Sequence, residues 1–290
     1  MRVRPPRIYA GYVLDLDGTV YLGEEPLPGA VRTLHRLRTA GARLVFLTNN
    51  PLRSPASYAA LLRGMGIAAS EQEVVTPLSV LPGYLARHHP GARVLTVAEP
   101  LVGQTLRANG IATTTDPGAA QVVLVSFDRT FDYGKMLAAF QAVHGHGAVI
   151  VATNPDPYCP SPDGGLPDCA AMLAAIEACT GARAEAVLGK PGPQMAAEVR
   201  ARLGVPAADA AMVGDRLLTD VAMSRELEMT SVLVLSGATR EADLASQAAR
   251  SGGPRPDFVI AGLADLLPGH PSPSPPSYSQ HQSVPTREPQ

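Results

Sequence analysis

The chain has 290 residues, 46% of them apolar, and a net charge of −2, which is material for about two cores. That balance gives no reason to invoke nucleic acid or anionic lipid, which want a basic face, and 4% aromatics without tryptophan argue against base-stacking platforms. No apolar run reaches the ~18 residues of a membrane span and Met1–Arg7 lacks a signal peptide's apolar core, so a cytoplasmic location is expected.

Gly11–Asp17 reads as a buried strand that delivers two aspartates into a Gly18-Thr19 turn. Residues i and i+2 of a strand share a face, so Asp15 and Asp17 should point together from the carboxyl end, where open α/β sheets bind ligands. Like charges that close need a cation between them or a shared proton. Taken alone, the stretch reads equally well as a strand entering an Asp-Gly hairpin turn. Gly29–Ala40 follows as an amphipathic helix, Ala42–Asn50 as a strand closing in Thr48-Asn49-Asn50, and Pro55–Gly64 as a helix. Further strands are predicted at Arg93–Val97, Gln121–Phe127 and Ala148–Ala152. Pro155–Asp168 has loop composition and leads into the alanine-rich Ala170–Cys179, a core-packing helix. Gly189-Lys190-Pro191 precedes a helix starting near Pro193. Then come a strand at Ala210–Asp215, a helix at Thr219–Leu227, and strands at Thr230–Ser236 and Asp257–Ile260.

This βαβα rhythm implies a parallel sheet covered on both faces. The 139 residues between Asn50 and Lys190 exceed any single crossover and carry their own strands, so a second α/β domain is inserted there. The fold class is α/β: a Rossmann-like three-layer core over residues 8–79 and 186–267, an inserted cap over 80–185, and a disordered Pro/Ser-rich tail without catalytic role over 268–290.

Some residues have plain readings. Cys159, Cys169 and Cys179 lack CxxC spacing and read as free thiols in a reducing compartment, with Cys169 an inert small residue. His144 and His146 are flanked by glycines and read as a solvated helix end. Arginine outnumbers lysine 22 to 2; Lys135 reads as a surface residue at a helix start, whereas Lys190 stands where a compact point charge would matter.

Asp15, Thr48 to Asn50, Lys190, and Val213-Gly214-Asp215-Arg216 followed by Thr219-Asp220 each fall at a strand's carboxyl end or a helix start, so one crevice can collect them. The order DxDGT, TNN, GKP, GDxxxTD resembles the haloacid dehalogenase superfamily. The long insert, with Phe127-Asp128-Arg129-Thr130-Phe131-Asp132-Tyr133 and Thr153-Asn154-Pro155-Asp156, is similar to the caps of its class IIA, the NagD-like and p-nitrophenylphosphatase-like phosphatases. The resemblance covers Gly11 to Leu267 and implies a phosphatase working through an aspartyl phosphate with Mg²⁺. By it, Asp15 is the nucleophile and a metal ligand. Asp17 is the acid and base, its backbone carbonyl on the metal. Thr48, Asn49 and Asn50 bind the phosphoryl group, Lys190 neutralises charge, and Asp215 ligates Mg²⁺ with Asp220 behind it. Asp156 and Asp168 belong to the cap's specificity segment, where Pro167-Asp168-Cys169-Ala170 departs from the family's Pro-Gly-Ala-Gly step. Asp168 is favoured as a helix N-cap; facing the pocket, it would disfavour carboxylated substrates.

The charges support that division of labour. Each repulsion between a phosphate dianion and a carboxylate costs about 4 kcal/mol at ~4 Å and an effective dielectric near 20. Two of them amount to roughly six decades in rate. A hard divalent cation with oxygen ligands plus one ammonium can cancel this, and no His/Cys cluster argues for zinc. An alkoxide leaving group needs a positioned acid, and Asp17 would need a raised pKa, from Asp15 and from exclusion of water. The partner implied is a small sugar, nucleotide or polyol phosphate, with no nucleic acid and no membrane; a homodimer is allowed but not required. A phosphomutase, a signalling receiver domain and a silent metabolite-binding protein are rival readings. The receiver leaves the insert unexplained, and the silent protein leaves a full set of catalytic side chains unexplained.

Overall fold

Gly11–Asp15 is a wholly buried strand, apolar until its final residue, as a strand covered on both faces must be. In a computed structural model of the chain, which describes residues 3–161, 164–248 and 253–268, it lies inside a six-stranded parallel sheet. The order is Phe258–Ile260, Thr230–Val234, Ala210–Gly214, Gly11–Asp15, Arg43–Leu47, Val74–Val75. Alternation along the strand sends Tyr12 and Leu14 to one face, against Leu34 and Leu37 of helix Ala30–Thr39 and Leu62 of helix Pro55–Gly64. Val13 turns to the other face, against Met195 and Val199 of helix Pro193–Leu203 and Leu81 of helix Pro77–His88.

Between Val74–Val75 and Ala210–Gly214 the chain builds a second parallel sheet, the inserted α/β cap. Its order is Ala184–Val187, Val149–Ala152, Val122–Val125, Val94–Val97, Thr113–Thr114. Helices Pro100–Ala108, Tyr133–Phe140 and Cys169–Thr180 accompany it, the last burying Cys169, Met172 and Ile176. Val122 and Val151 of this sheet share an apolar cluster with Val13 and Met195 of the core, so the two units pack through one continuous interior.

Several local expectations change. The segment read as a loop contains an antiparallel hairpin, Tyr158–Ser161 against Gly164–Pro167, which joins neither parallel sheet. Proline and glycine disguise it in the sequence. Gly165 is needed there, because a Cβ would come 2.9 Å from Cδ2 of the Tyr158 ring. The helix expected over Thr219–Leu227 opens as a widened turn, Leu217–Val221, before the regular helix Ala222–Leu227. Lys135 is not a plain surface residue: its Nζ lies 2.5 Å from Oδ2 of buried Asp128 and 2.6 Å from Oγ1 of Thr130. Both lysines of the chain thus pair with buried aspartates. His144 and His146 are exposed, His144 stacking on Phe140 at 4.9 Å. The tail expected to be disordered lies, from residue 269 onward, outside the described residues. Among the described residues no helix is long and apolar enough to cross a membrane.

Candidate active site

Parallel strands end on one side, and that is where the candidate residues meet. Asp15 is the last residue of its strand, Thr48 follows Arg43–Leu47, and Asp215 follows Ala210–Gly214. Carboxylate oxygens of Asp15, Asp215 and Asp220 lie within 4.8 Å of one another, and all three residues are buried. Lys190 reaches in from the segment before helix Pro193–Leu203, its Nζ 2.5 Å from Asp15 Oδ1 and 2.6 Å from Asp220 Oδ1. Asp220 Oδ2 accepts the Arg216 backbone N–H at 2.9 Å, and Asp215 Oδ2 accepts that of Ala238 at 2.5 Å. Asp215 Oδ1 is buried with no hydrogen-bond partner. Glycines make room for the cluster: a Cβ on Gly237 would come 2.0 Å from Asp215 Oδ2, and one on Gly214 2.3 Å from Asp220 Cγ.

Three carboxylates against one ammonium leave a deficit of two positive charges in a buried site, and an orphaned oxygen faces it. Every donor is a hard oxygen. The residues therefore fit a hard divalent cation and offer nothing soft for zinc or copper. Burial pushes the Asp15 carboxyl upward while Lys190 opposes that rise. Burial alone would discharge Lys190, but Asp15 and Asp220 outweigh it and hold the ammonium charged above its ordinary range. Asp215 is pushed up to about 7, by burial first and then by Asp220.

Asp17 does not share a strand face with Asp15. The strand stops at Asp15, and Asp17 sits in the turn beyond it, before Gly18 at φ +84°, bridged to Tyr21. Its carboxyl still reaches the same cavity. Burial raises it to about 6 and Lys190 pulls it back. Tyr21 Oη stands 3.5 Å from Asp17 Oδ2.

Asp15, Asp17, Thr48, Asn49, Asn50, Asp156, Asp168 and Lys190 all line one narrow cavity of about 30 Å³. The three residues closing the second strand divide their work. Thr48 Oγ1 accepts the Asn50 N–H at 3.1 Å, and Asn50 Oδ1 accepts that of Leu52 at 3.0 Å. Asn49, expected on phosphate, has its side chain engaged elsewhere. Its Oδ1 accepts the Lys190 N–H at 2.6 Å, and its Nδ2 donates to Asp156 Oδ2 at 3.0 Å and to the Lys190 carbonyl at 3.3 Å. Asn154 returns the contact from the cap, donating to the Asn49 carbonyl at 3.0 Å and to Asp168 Oδ1 at 3.3 Å. Asp168 caps helix Cys169–Thr180, the favoured reading, accepting the Cys169 N–H at 2.5 Å, and it also lines the cavity, so the two alternatives are not exclusive. Burial raises it to about 7 against that hydrogen bond, and raises Asp156 against the pull of Arg216.

Residues without an assigned role in the sequence also enter the site, among them Tyr21, Asn154, Tyr158, Pro160, Arg216 and Thr219. Thr219 lines the cavity with a buried hydroxyl that has no partner. Arg216 and Asn154 stood inside quoted motifs, and that proximity to Asp215 and Asp156 was the available signal.

Comparison with known proteins agrees with this geometry. A family model described as haloacid dehalogenase-like hydrolase matches residues 12–112, and a HAD-hydrolase-like model matches 187–266. Sugar-phosphatase AraL of Bacillus subtilis (strain 168) is 34% identical over 257 residues, 89% of this chain and 92% of that protein. The p-nitrophenyl phosphatase from Archaeoglobus fulgidus superposes with a TM-score of 0.80 at 31% identity, covering 90% of this chain and 98% of its own. A glycerol phosphate phosphatase from Mycobacterium tuberculosis, solved with magnesium, superposes with a TM-score of 0.79 at 32% identity, covering 90% and 77%. With its motifs, inserted cap and full-length relatives in agreement, the chain belongs to class IIA of the haloacid dehalogenase superfamily and is a phosphoric monoester hydrolase.

Proposed function

We propose that this phosphatase hydrolyses small hydroxyl-bearing phosphate monoesters, sugar, polyol or nucleotide phosphates, through a phosphoryl group carried on Asp15 and with Mg²⁺ as its metal. The observation that carries the reading is the buried pairing of Asp15 with Lys190 beside an Asp215 oxygen that has no partner. Asp15, Asp215 and the Asp17 backbone carbonyl would hold the ion. Bound there, Mg²⁺ would neutralise charge on the transferring phosphoryl oxygens.

The chain's own groups account for the rest. An Asp15 carboxylate oxygen bonds to phosphorus as the ester P–O bond breaks. Asp17, lifted to about 6, gives its proton to the departing alcohol oxygen. The same carboxylate then takes a proton from water as the water oxygen attacks phosphorus. The bond to Asp15 breaks, releasing inorganic phosphate and restoring both aspartates. Lys190 faces the reacting carboxylate throughout, and Asp220 fixes it from behind. Thr48 presents its hydroxyl to the phosphoryl oxygens, while Asn49 positions Lys190 through its backbone. The acids of the cap wall, Asp156 and Asp168, favour a hydroxyl-bearing leaving group over a carboxylated one. Names of relatives, a sugar phosphatase and a glycerol phosphate phosphatase, support the same substrate class.

The test is phosphate release from a panel of sugar, polyol and nucleotide phosphates, with and without Mg²⁺, by wild type and Asp15→Asn. Mass spectrometry after acid quench should find a phosphoryl adduct on the wild-type peptide carrying Asp15. Wild-type-like turnover by a folded Asp15→Asn variant would remove the covalent mechanism.

A further inference from the structure

Arg216 belongs to two places at once. Its backbone N–H is bound by Asp220 within the acid cluster. Its guanidinium crosses to the cap hairpin, where Nη2 donates to the Tyr158 carbonyl at 2.8 Å, and the group lies over the Tyr158 ring, 4.8 Å from its centroid. Asp156 Oδ1 stands 4.0 Å from Nη1.

The hairpin has reason to need this contact. It joins neither parallel sheet, and a two-stranded ribbon alone is marginal. The Asp168 N–H bonds the Pro157 carbonyl, so by the alternation of an antiparallel ladder the next pair, Tyr158 and Pro167, exchanges no hydrogen bond. The Tyr158 carbonyl therefore points away from the ribbon, and Arg216 takes it. Cys159 and Pro160, next along the same strand, line the cavity. At about 30 Å³ that cavity is far below the several hundred Å³ of an ordinary ligand pocket, so the hairpin wall decides how large a leaving group fits.

We propose that Arg216 is a positioning residue that clamps the hairpin over the site and so sets leaving-group size. This rests on the reading of the cavity as the active site for small hydroxyl-bearing esters. With the clamp in place the wall stays close and compact esters are preferred. Without it the wall yields and bulkier esters gain.

The experiment compares kcat/KM for p-nitrophenyl phosphate and for glycerol phosphate, whose ratio cancels general damage to the site. It uses wild type, Arg216→Ala, Arg216→Lys and Gly165→Ala. The last variant pushes on the Tyr158 ring without touching Arg216. In Arg216→Ala the ratio should move toward p-nitrophenyl phosphate by about tenfold or more, the loss of one charge-assisted hydrogen bond. Arg216→Lys should restore part of it, and Gly165→Ala should shift it the same way by less. Amides of Cys159 and Leu166 should exchange faster in Arg216→Ala, with those of Gly11–Asp15 unchanged. An unchanged or reversed ratio, or unchanged hairpin exchange, overturns the clamp. Turnover surviving in Asp15→Asn is a separate failure, of the active-site assignment itself.

Discussion

Replacing Lys190 by methionine keeps the length of the side chain and deletes its charge, leaving three buried carboxylates to face one another. Their oxygens lie within 4.8 Å. At an effective dielectric near 20, one such pair repels by about 3–4 kcal/mol. Wild type carries that repulsion too but offsets it with the ammonium, and breaking a buried ion pair from one side costs about 3–5 kcal/mol in general. Against a domain stability of about 5–15 kcal/mol, the variant should still fold. We therefore expect its urea midpoint in EDTA near pH 8 to fall by an amount equivalent to about 3–5 kcal/mol at constant slope. Added Mg²⁺ should stabilise the variant more than wild type, because it returns positive charge to the cluster; saturation at about 100 times Kd is worth about 2.7 kcal/mol. Activity should not return with stability, since the ammonium beside Asp15 is gone. A loss below about 1 kcal/mol in EDTA would mean that the acids are not ionised together, and the charge argument for a divalent cation would go with it.

Asp168→Asn tests the cap wall. The Asp168 carboxyl holds its proton to about 7 when folded, against 3.8 ordinarily, so its stabilising effect is complete below about pH 4 and is lost as pH rises through about 7. The amide keeps the acceptor for Cys169 and has no proton to lose, so the variant should match wild type near pH 4 and exceed it by up to about 4 kcal/mol near pH 8 in denaturant melts. A difference that stays flat with pH rejects the raised pKa. Gly237→Ala tests the metal site, since its Cβ would come 2.0 Å from Asp215 Oδ2. The fold should survive with weakened divalent-cation affinity, about tenfold or more, read from the Mg²⁺ dependence of turnover and of thermal stability; an unaltered Mg²⁺ titration would take Asp215 out of the ligand set.

Much of this site was legible because its residues are tied to strand ends. Asp15, Thr48 and Asp215 follow apolar runs whose buried character is plain, and parallel strands bring their carboxyl ends together. Asp17 lines the same cavity as Asp15, but not by strand alternation, because the strand ends at Asp15, two residues earlier. Side-chain partners, near or far along the chain, were harder to read than strand ends. Asn49 shares a motif with Thr48, but its side chain is taken up by Lys190 and Asp156, and Lys135 is half-buried against Asp128 rather than solvated. The hairpin escaped notice because a two-stranded ribbon of proline, glycine and cysteine has no alternation to betray it.

Asn49 and Asn154 each hold the other's neighbourhood, one lent by the core and one by the cap. Specificity in such enzymes invites engineering by exchange of whole caps between relatives. A transplanted cap that lacked an amide at position 154 or a carboxylate at position 156 would leave Asn49 without its counterparts, and would loosen the backbone that aims Lys190. Chimaeras should therefore be cut so that this pair of amides travels together, whatever else is swapped.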